Sequence, residues 1–429
     1  MSDLAGQLDI QLRPDARTVA RITSSRPLSA AGVFVGKPVA RVAGQLPLLF
    51  SVCGTAQAVA CAQACEAALG LAPAPSAQAA RILLLRAETA KEHLWRLLLD
   101  WPAALARLDV IPEAVQLAAQ SAEREAAMAA AMRAFLQLRA ALGTGGDPFL
   151  PGADRIRPAA DAVESARAIL AETATEQVLG VPAARWLAAV LTPTDLRHWA
   201  AQTATPAAAL VRALTAAGLA DVGRCAIDRL SPGVEGSGLL RQLAPILAAA
   251  DADDFVAAPH LQGVPRETSP FAREVVRGEL VSALAAAHGN GLLPRLAALL
   301  TELARQTVQL GLDAEDTDEE VADAAMMAAA APDAGVGLGA AAAARGLLVH
   351  RVAIAGSNRT GGAQVRGYRI LAPTEWNFHP AGVVADGLAD VAMAWAERRV
   401  TPTPAQLEAL ARLYVTAVDP CVDYRLSIS

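Results

Sequence analysis

Between Arg41 and Glu66 the chain carries no charged side chain, and no other feature restricts its fold so tightly. An uncharged run of this length either crosses a bilayer or lies buried on all sides in a large protein. The residues favour burial. Pro47, Gly54 and Thr55 interrupt the run, Gln45, Gln57 and Gln63 place amides along it, and much of the rest is Ala rather than Leu or Ile. No direct membrane insertion is expected.

With 429 residues the chain can bury a large core, and length alone is compatible with two or three domains. Charged residues make up 19% and aromatics 4%, while Ala is abundant, so a mainly α fold with small β elements is expected. The net charge of -6 argues against a nucleic-acid partner, which would call for a basic stripe. The acidic cluster Asp313, Glu315, Asp316, Asp318, Glu319 and Glu320 reads as a solvated helix start, with Thr317 and Glu320 forming a capping box. Met1 to Arg13 lacks the long apolar core of a signal peptide. Cysteines 53, 61, 65, 225 and 421 show no disulfide framework, which points to a reducing cytoplasm. Of these, Cys61, Cys65 and Cys225 read as small core residues.

Alternation predicts short strands at Leu8 to Leu12 and around Val19 to Ile22. A small-residue helix is expected from Cys53 to a Gly70 stop, and another over 77 to 100, capped by Ser76 and ended by Trp101-Pro102. A long helix should cover 111 to 142, with further helices to about 312. Leu347 to Ala355 and Val365 to Leu371 read as a β-hairpin. Helices near 383 to 398 and 404 to 417 lead to the C-terminus.

The last eleven residues run Asp419-Pro420-Cys421-Val422-Asp423-Tyr424-Arg425-Leu426-Ser427-Ile428-Ser429. They resemble the DPCxxCxxH motif that closes nickel-iron hydrogenase large subunits. Cys421 matches the first motif cysteine, Tyr424 occupies the place of the second, and Ser427 that of the histidine. Near the other end, Leu48-Leu49-Phe50-Ser51-Val52-Cys53, followed by Gly-Thr-Ala-Gln57 and Glu66-Ala-Ala-Leu-Gly70, is similar to the RxCxxC motif and the helix after it. In this register Cys53 is the second cysteine and Phe50 replaces the first; another register makes Cys53 the first and puts Ala56 at the second. Arg81 through Glu88 to His93, the Ala344-Arg345-Gly346-Leu347 turn, and Ala372-Pro373-Thr374-Glu375-Trp376-Asn377 resemble further family segments in the same order.

The resemblance implies a single large-subunit-like domain. Strands and the first motif would fill about 1–100, a helical middle about 101–340, and the hairpin and last motif about 341–429. In the family, four thiolates hold nickel, two of them bridge to iron, and the iron carries cyanide and carbon monoxide. By position, Arg345 and Thr374 inherit contacts to the cyanides. Phe50 and Tyr424 are lost ligand positions, so at most two thiolates remain and stoichiometric nickel is not expected, because late transition metals need such soft donors. Family chains are trimmed after the final histidine, whereas here two residues follow Ser427.

This pattern is similar to the HupK/HoxV-type hydrogenase accessory proteins, degenerate relatives of the large subunit. The similarity implies a non-enzymatic scaffold that holds an Fe(CN)2(CO) fragment transiently on Cys53 and Cys421. Its partners would be hydrogenase maturation proteins and the hydrogenase large subunit. Two other readings stay open: an adaptor that docks maturation proteins without metal, and a hydrogenase with altered ligands, against which the missing cysteines speak.

Overall fold

The computed structural model describes residues 6–49, 52–108, 117, 119, 121–230, 237–311, 326–356, 362–397 and 403–429. The acidic cluster at 313–320, Phe50 and most of 109–120 lie outside these residues.

The uncharged run becomes two helices, α1 (Val39–Leu49) and α2 (Gly54–Leu69). Every residue of α2 from Thr55 to Glu66 is buried. The reason lies across from it, in the antiparallel sheet β5 (Met327–Asp333), β6 (Val336–Ala343), β7 (Gly346–Ala355) and β8 (Gln364–Leu371). At Gly337 and Gly339 of β6 an added Cβ would fall within 2.5 Å of Ala68 N and Ala64 N respectively. Strand and helix thus meet backbone to backbone, and only small residues permit that approach. Gly70 ends α2 in the left-handed conformation, with φ 64°.

Helix α3 (Pro75–Trp95) begins the helical body, packing on the helices Leu292–Gly311, Ser121–Gly143 and Ala160–Ala174. Two expectations about α3 are corrected. Ser76 does not cap it: the residue before the helix is Ala74, and Ser76 Oγ accepts from Ile156 N at 3.1 Å. Trp101-Pro102 does not end it either. The chain passes through a π-turn at Arg96–Asp100 directly into α4 (Trp101–Ala106), with Pro102 in the first turn of α4.

The helical middle expected up to residue 340 is also corrected, because β5 and β6 occupy 327–343. Their Ala-rich sequence carries no strand periodicity, and pairing with β7 decides the conformation. The expected hairpin is real and forms β7–β8, with Val352 opposite Tyr368.

A second sheet runs in the order β2-β1-β9, from β1 (Leu8–Leu12), β2 (Ala20–Ser24) and β9 (Tyr424–Ile428). β9 pairs parallel to β1, with Leu8 opposite Tyr424, so the two ends of the chain share one sheet. A two-stranded ribbon, β3 (His260–Leu261) and β4 (Val264–Pro265), lies elsewhere. No helix among the described residues is long and apolar enough to cross a membrane.

Candidate metal centre

Cys53 is the residue just before α2. The first free amides of that helix are taken by Glu88 of α3, which accepts from Thr55 N at 2.8 Å and Ala56 N at 3.0 Å. Burial nevertheless pushes the Glu88 carboxyl above its ordinary range. One turn into α2, Gln57 Nε2 lies 3.8 Å from Cys53 Sγ.

Cys421 arrives from the other end of the chain. The helix Pro404–Val418 ends on Asp419, whose φ of 65° turns the chain sharply. Asp is among the few residues other than Gly that tolerate this conformation. The Asp419 carboxylate is held by Arg96 Nη2 at 2.6 Å and Arg345 Nε at 3.0 Å. Thr374, at the start of the short helix Pro373–Asn377, accepts from Cys421 N at 3.3 Å. Its own hydroxyl hydrogen is then free to point at Cys421 Sγ, 2.7 Å away.

The two cysteines share one electrostatic environment. The thiol of Cys53 is pushed up to about 12, by burial first and then by the neighbouring Cys421 and Glu88 charges; Arg345 and Gln57 oppose only part of this. Both sulfurs also bear on Arg345 and Arg26. Burial works against each guanidinium, yet the surrounding anions outweigh it and raise both.

Arg345 follows the expected turn. Gly346 has φ 139°, and a Cβ there would lie 2.5 Å from Thr268 O. The guanidinium is buried, its Nη2 is 3.0 Å from Glu92, and its Nη1 has no hydrogen-bond partner among the described residues. An unsatisfied buried donor is costly, and the charges of both cysteines bear on this guanidinium. Arg345 is therefore also part of an ion-pair network, and Arg345→Leu would leave Glu92 to Lys91 and Asp419 to Arg96. The variant that removes only its reach is Arg345→Lys.

Sequence reasoning missed Arg26. Following β2, it pairs with Glu375 at 2.7 Å and reaches Cys421 Sγ at 3.7 Å. Its neighbours in sequence give no sign of this. Tyr424 heads β9, partly buried, with the Arg412 guanidinium 5.8 Å over its ring. Ser427, at the histidine position, is exposed. Phe50 cannot be placed, being outside the described residues.

A cleft of about 560 Å³ opens onto this region, walled by Val52, Arg345, Asp419, Cys421 and Tyr424 among others. Cys421 faces it, while Cys53 is not on its wall. No cluster of three or more His, Cys, Asp or Glu placed for a metal ion occurs among the described residues.

Cys61 and Cys65 are fully buried, as expected, but they are not inert neighbours of apolar groups alone: Cys61 lies against His350 and Tyr368. His93, expected to pack or hydrogen-bond, binds Glu302 at 2.7 Å. His379 accepts from Ala381 N at 2.9 Å and so has a structural role.

The fold is that of a nickel-iron hydrogenase large subunit. The structure of an NAD+-reducing nickel-iron hydrogenase in its H2-reduced state aligns with TM-score 0.60 over 94% of this chain and 92% of that one, at 17% identity. A nickel-iron-selenium hydrogenase from D. vulgaris Hildenborough aligns with TM-score 0.59 over the same shares, at 16% identity. No protein-family model matches the chain. The hydrogenase expression/formation protein HoxV of Cupriavidus necator is 32% identical over 418 residues, covering 96% of this chain and 93% of that protein. HupK of Bradyrhizobium diazoefficiens, with the same description, is 30% identical over 98% of this chain and 96% of its own. The chain belongs to this HoxV/HupK family of hydrogenase expression/formation proteins.

Proposed function

We propose that the chain is an accessory protein of hydrogenase formation that carries an Fe(CN)2(CO) fragment between Cys53 and Cys421, without turnover of its own. It passes the fragment from maturation proteins to a hydrogenase large subunit. The observation that supports this reading is that the two motif cysteines bear electrostatically on one another and on Arg345, whose buried Nη1 has no hydrogen-bond partner among the described residues. Cyanide nitrogen is an acceptor that needs a donor where water is scarce, and a charged donor serves best.

The chemistry of the donor set agrees. Two thiolates are too few for a bare metal ion, but suffice for iron that brings three ligands of its own. Without metal, Cys53 is a thiol, so loading releases its proton as the Fe–S bond forms. On the Cys421 side, the Thr374 hydroxyl and the Arg26 guanidinium lie within hydrogen-bond reach of the sulfur. A four-cysteine acceptor binds the fragment more fully, so ligand number gives transfer its direction. Tyr424 at a ligand position offers nickel no thiolate.

Protein purified without oxygen from cells making the maturation proteins should contain about one iron per chain and show infrared bands of bound cyanide and carbon monoxide. Iron-free native protein from such cells, with no bands, would favour the adaptor instead. Hydrogen turnover by the purified chain would overturn the non-enzymatic part.

A separate expectation concerns pH. Burial lowers the pKa of His350, whose ring is enclosed by Gln57, Tyr368 and Cys61. Between that lowered value and the ordinary ~6.5, the unfolded chain binds a proton that the folded chain refuses. Its contribution to stability is complete above pH ~6.5 and falls as the pH drops through this window. The urea midpoint of iron-free protein should fall between pH 7.5 and 5.5. The slope should be flatter in His350→Gln, by up to about 1.4 kcal/mol per pH unit. Equal slopes would show that His350 titrates freely in the fold.

A further inference from the structure

Gln57 is the end of a longer buried chain of hydrogen bonds. Its Oε1 is 2.8 Å from His350 Nε2, and His350 Nδ1 is 2.8 Å from the Tyr368 hydroxyl. His350 stands on β7 and Tyr368 on β8. In the register Val352 faces Tyr368 and His350 faces Ile370, so the two rings are diagonal neighbours on the sheet. They meet edge to face at 5.6 Å. Gln57, His350 and Tyr368 are all buried.

In such a site each donor must face an acceptor. Burial keeps the Tyr368 phenol protonated and the imidazole neutral. A neutral imidazole has one donor and one acceptor. With Gln57 Oε1 as the acceptor at one end, His350 Nε2–H donates to it and Nδ1 receives the Tyr368 O–H, while the Cys61 sulfur lies against both rings. The Gln57 carbonyl is then committed, and its amide N–H is turned to the Cys53 sulfur.

We propose that Tyr368 and His350 are positioning residues that lock the Gln57 side-chain amide with its N–H toward Cys53, making Cys53 the anchoring thiolate of the pair. This rests on the scaffold function above. Cys53 lies off the wall of the cleft and gains a fixed donor from inside the protein, whereas Cys421 faces the cleft. The iron fragment is therefore held from the Cys53 side and exchanged from the Cys421 side. An N–H···S bond draws electron density from the sulfur, and with it from iron and from the carbon monoxide π* orbital.

Two measurements on the full chain test this. The first needs no iron. With 15N-labelled histidine, and His350→Gln to assign the signals, His350 should be the neutral Nε2–H tautomer in native protein and a mixture of tautomers in Tyr368→Phe. An Nδ1–H tautomer in native protein overturns the proposal, because it would turn the Gln57 carbonyl to the sulfur. The second uses the iron-loaded protein. Gln57→Met keeps the volume and removes the donor, so the carbon monoxide band should move to lower wavenumber, and Tyr368→Phe should move it the same way by less. Bands present but unmoved in Gln57→Met also overturn it. If native protein shows no bands, the scaffold function is what fails, and the tautomer decides the positioning chain by itself.

Discussion

Cys421→Ala should lose the cyanide and carbon monoxide bands completely while keeping the native fold. On the scaffold proposal the sulfur is one of two that would hold the fragment, and a fragment tethered by a single thiolate has nothing to close the chelate. The fold has little at stake. Cys421 is only partly buried, between the helix Pro404–Val418 and β9. Its amide still donates to Thr374, and Arg26 keeps Glu375. The two hydrogen bonds lost, with Thr374 and Arg26, are worth about 1 kcal/mol each. Cys53→Ala should behave alike, since its side chain makes no capping bond to α2. Cys225→Ala, which removes a sulfur bonded to Asn290 far along the chain, should keep the bands. Infrared spectra beside circular dichroism of the three variants check this, and bands of native strength in Cys421→Ala would sink the shared site.

Gly339→Val should prevent folding altogether. A Cβ at 339 would meet Ala64 N at 2.5 Å and Ala60 O closer still, and both are backbone atoms of a helix buried on every side. Neither can turn aside as a side chain would, so α2 must lift from β6, breaking the contact that seats Cys53. Overpacking usually costs about 1–3 kcal/mol, and two backbone clashes with no outlet should exceed the ~4 kcal/mol that marks exceptional variants. Soluble yield and thermal unfolding are the measurements. A Gly339→Val protein that melts near the native temperature would show that helix and strand are not in the contact described.

Part of this was legible in the sequence, for reasons that differ by residue. Cys53 and Cys421 stood in motifs that survive the loss of half their ligands, and Arg345 and Thr374 stood in turns with recognisable neighbours. The uncharged run announced a buried helix, though not that its partner would be a strand. β5 and β6 were hidden because Ala is at home in helices, and only pairing with β7 makes them strands. Arg26 was hidden for another reason: its role comes from Glu375 and Cys421, hundreds of residues away, and nothing local marks it. The same holds for His350 and Tyr368, which read as ordinary strand residues until Gln57 is seen between them and Cys53.

The parallel pairing of β9 with β1 has a consequence for how the protein is made. During translation β1 and β2 can join at once, but the other edge of β1 stays open until the segment after Cys421 has left the ribosome. Through that interval Arg26 and Cys53 belong to a half-built pocket, and an exposed strand edge invites foreign pairing. β9 is the clasp of this sheet: its pairing closes the open edge of β1, and the same segment brings Cys421 to Arg26.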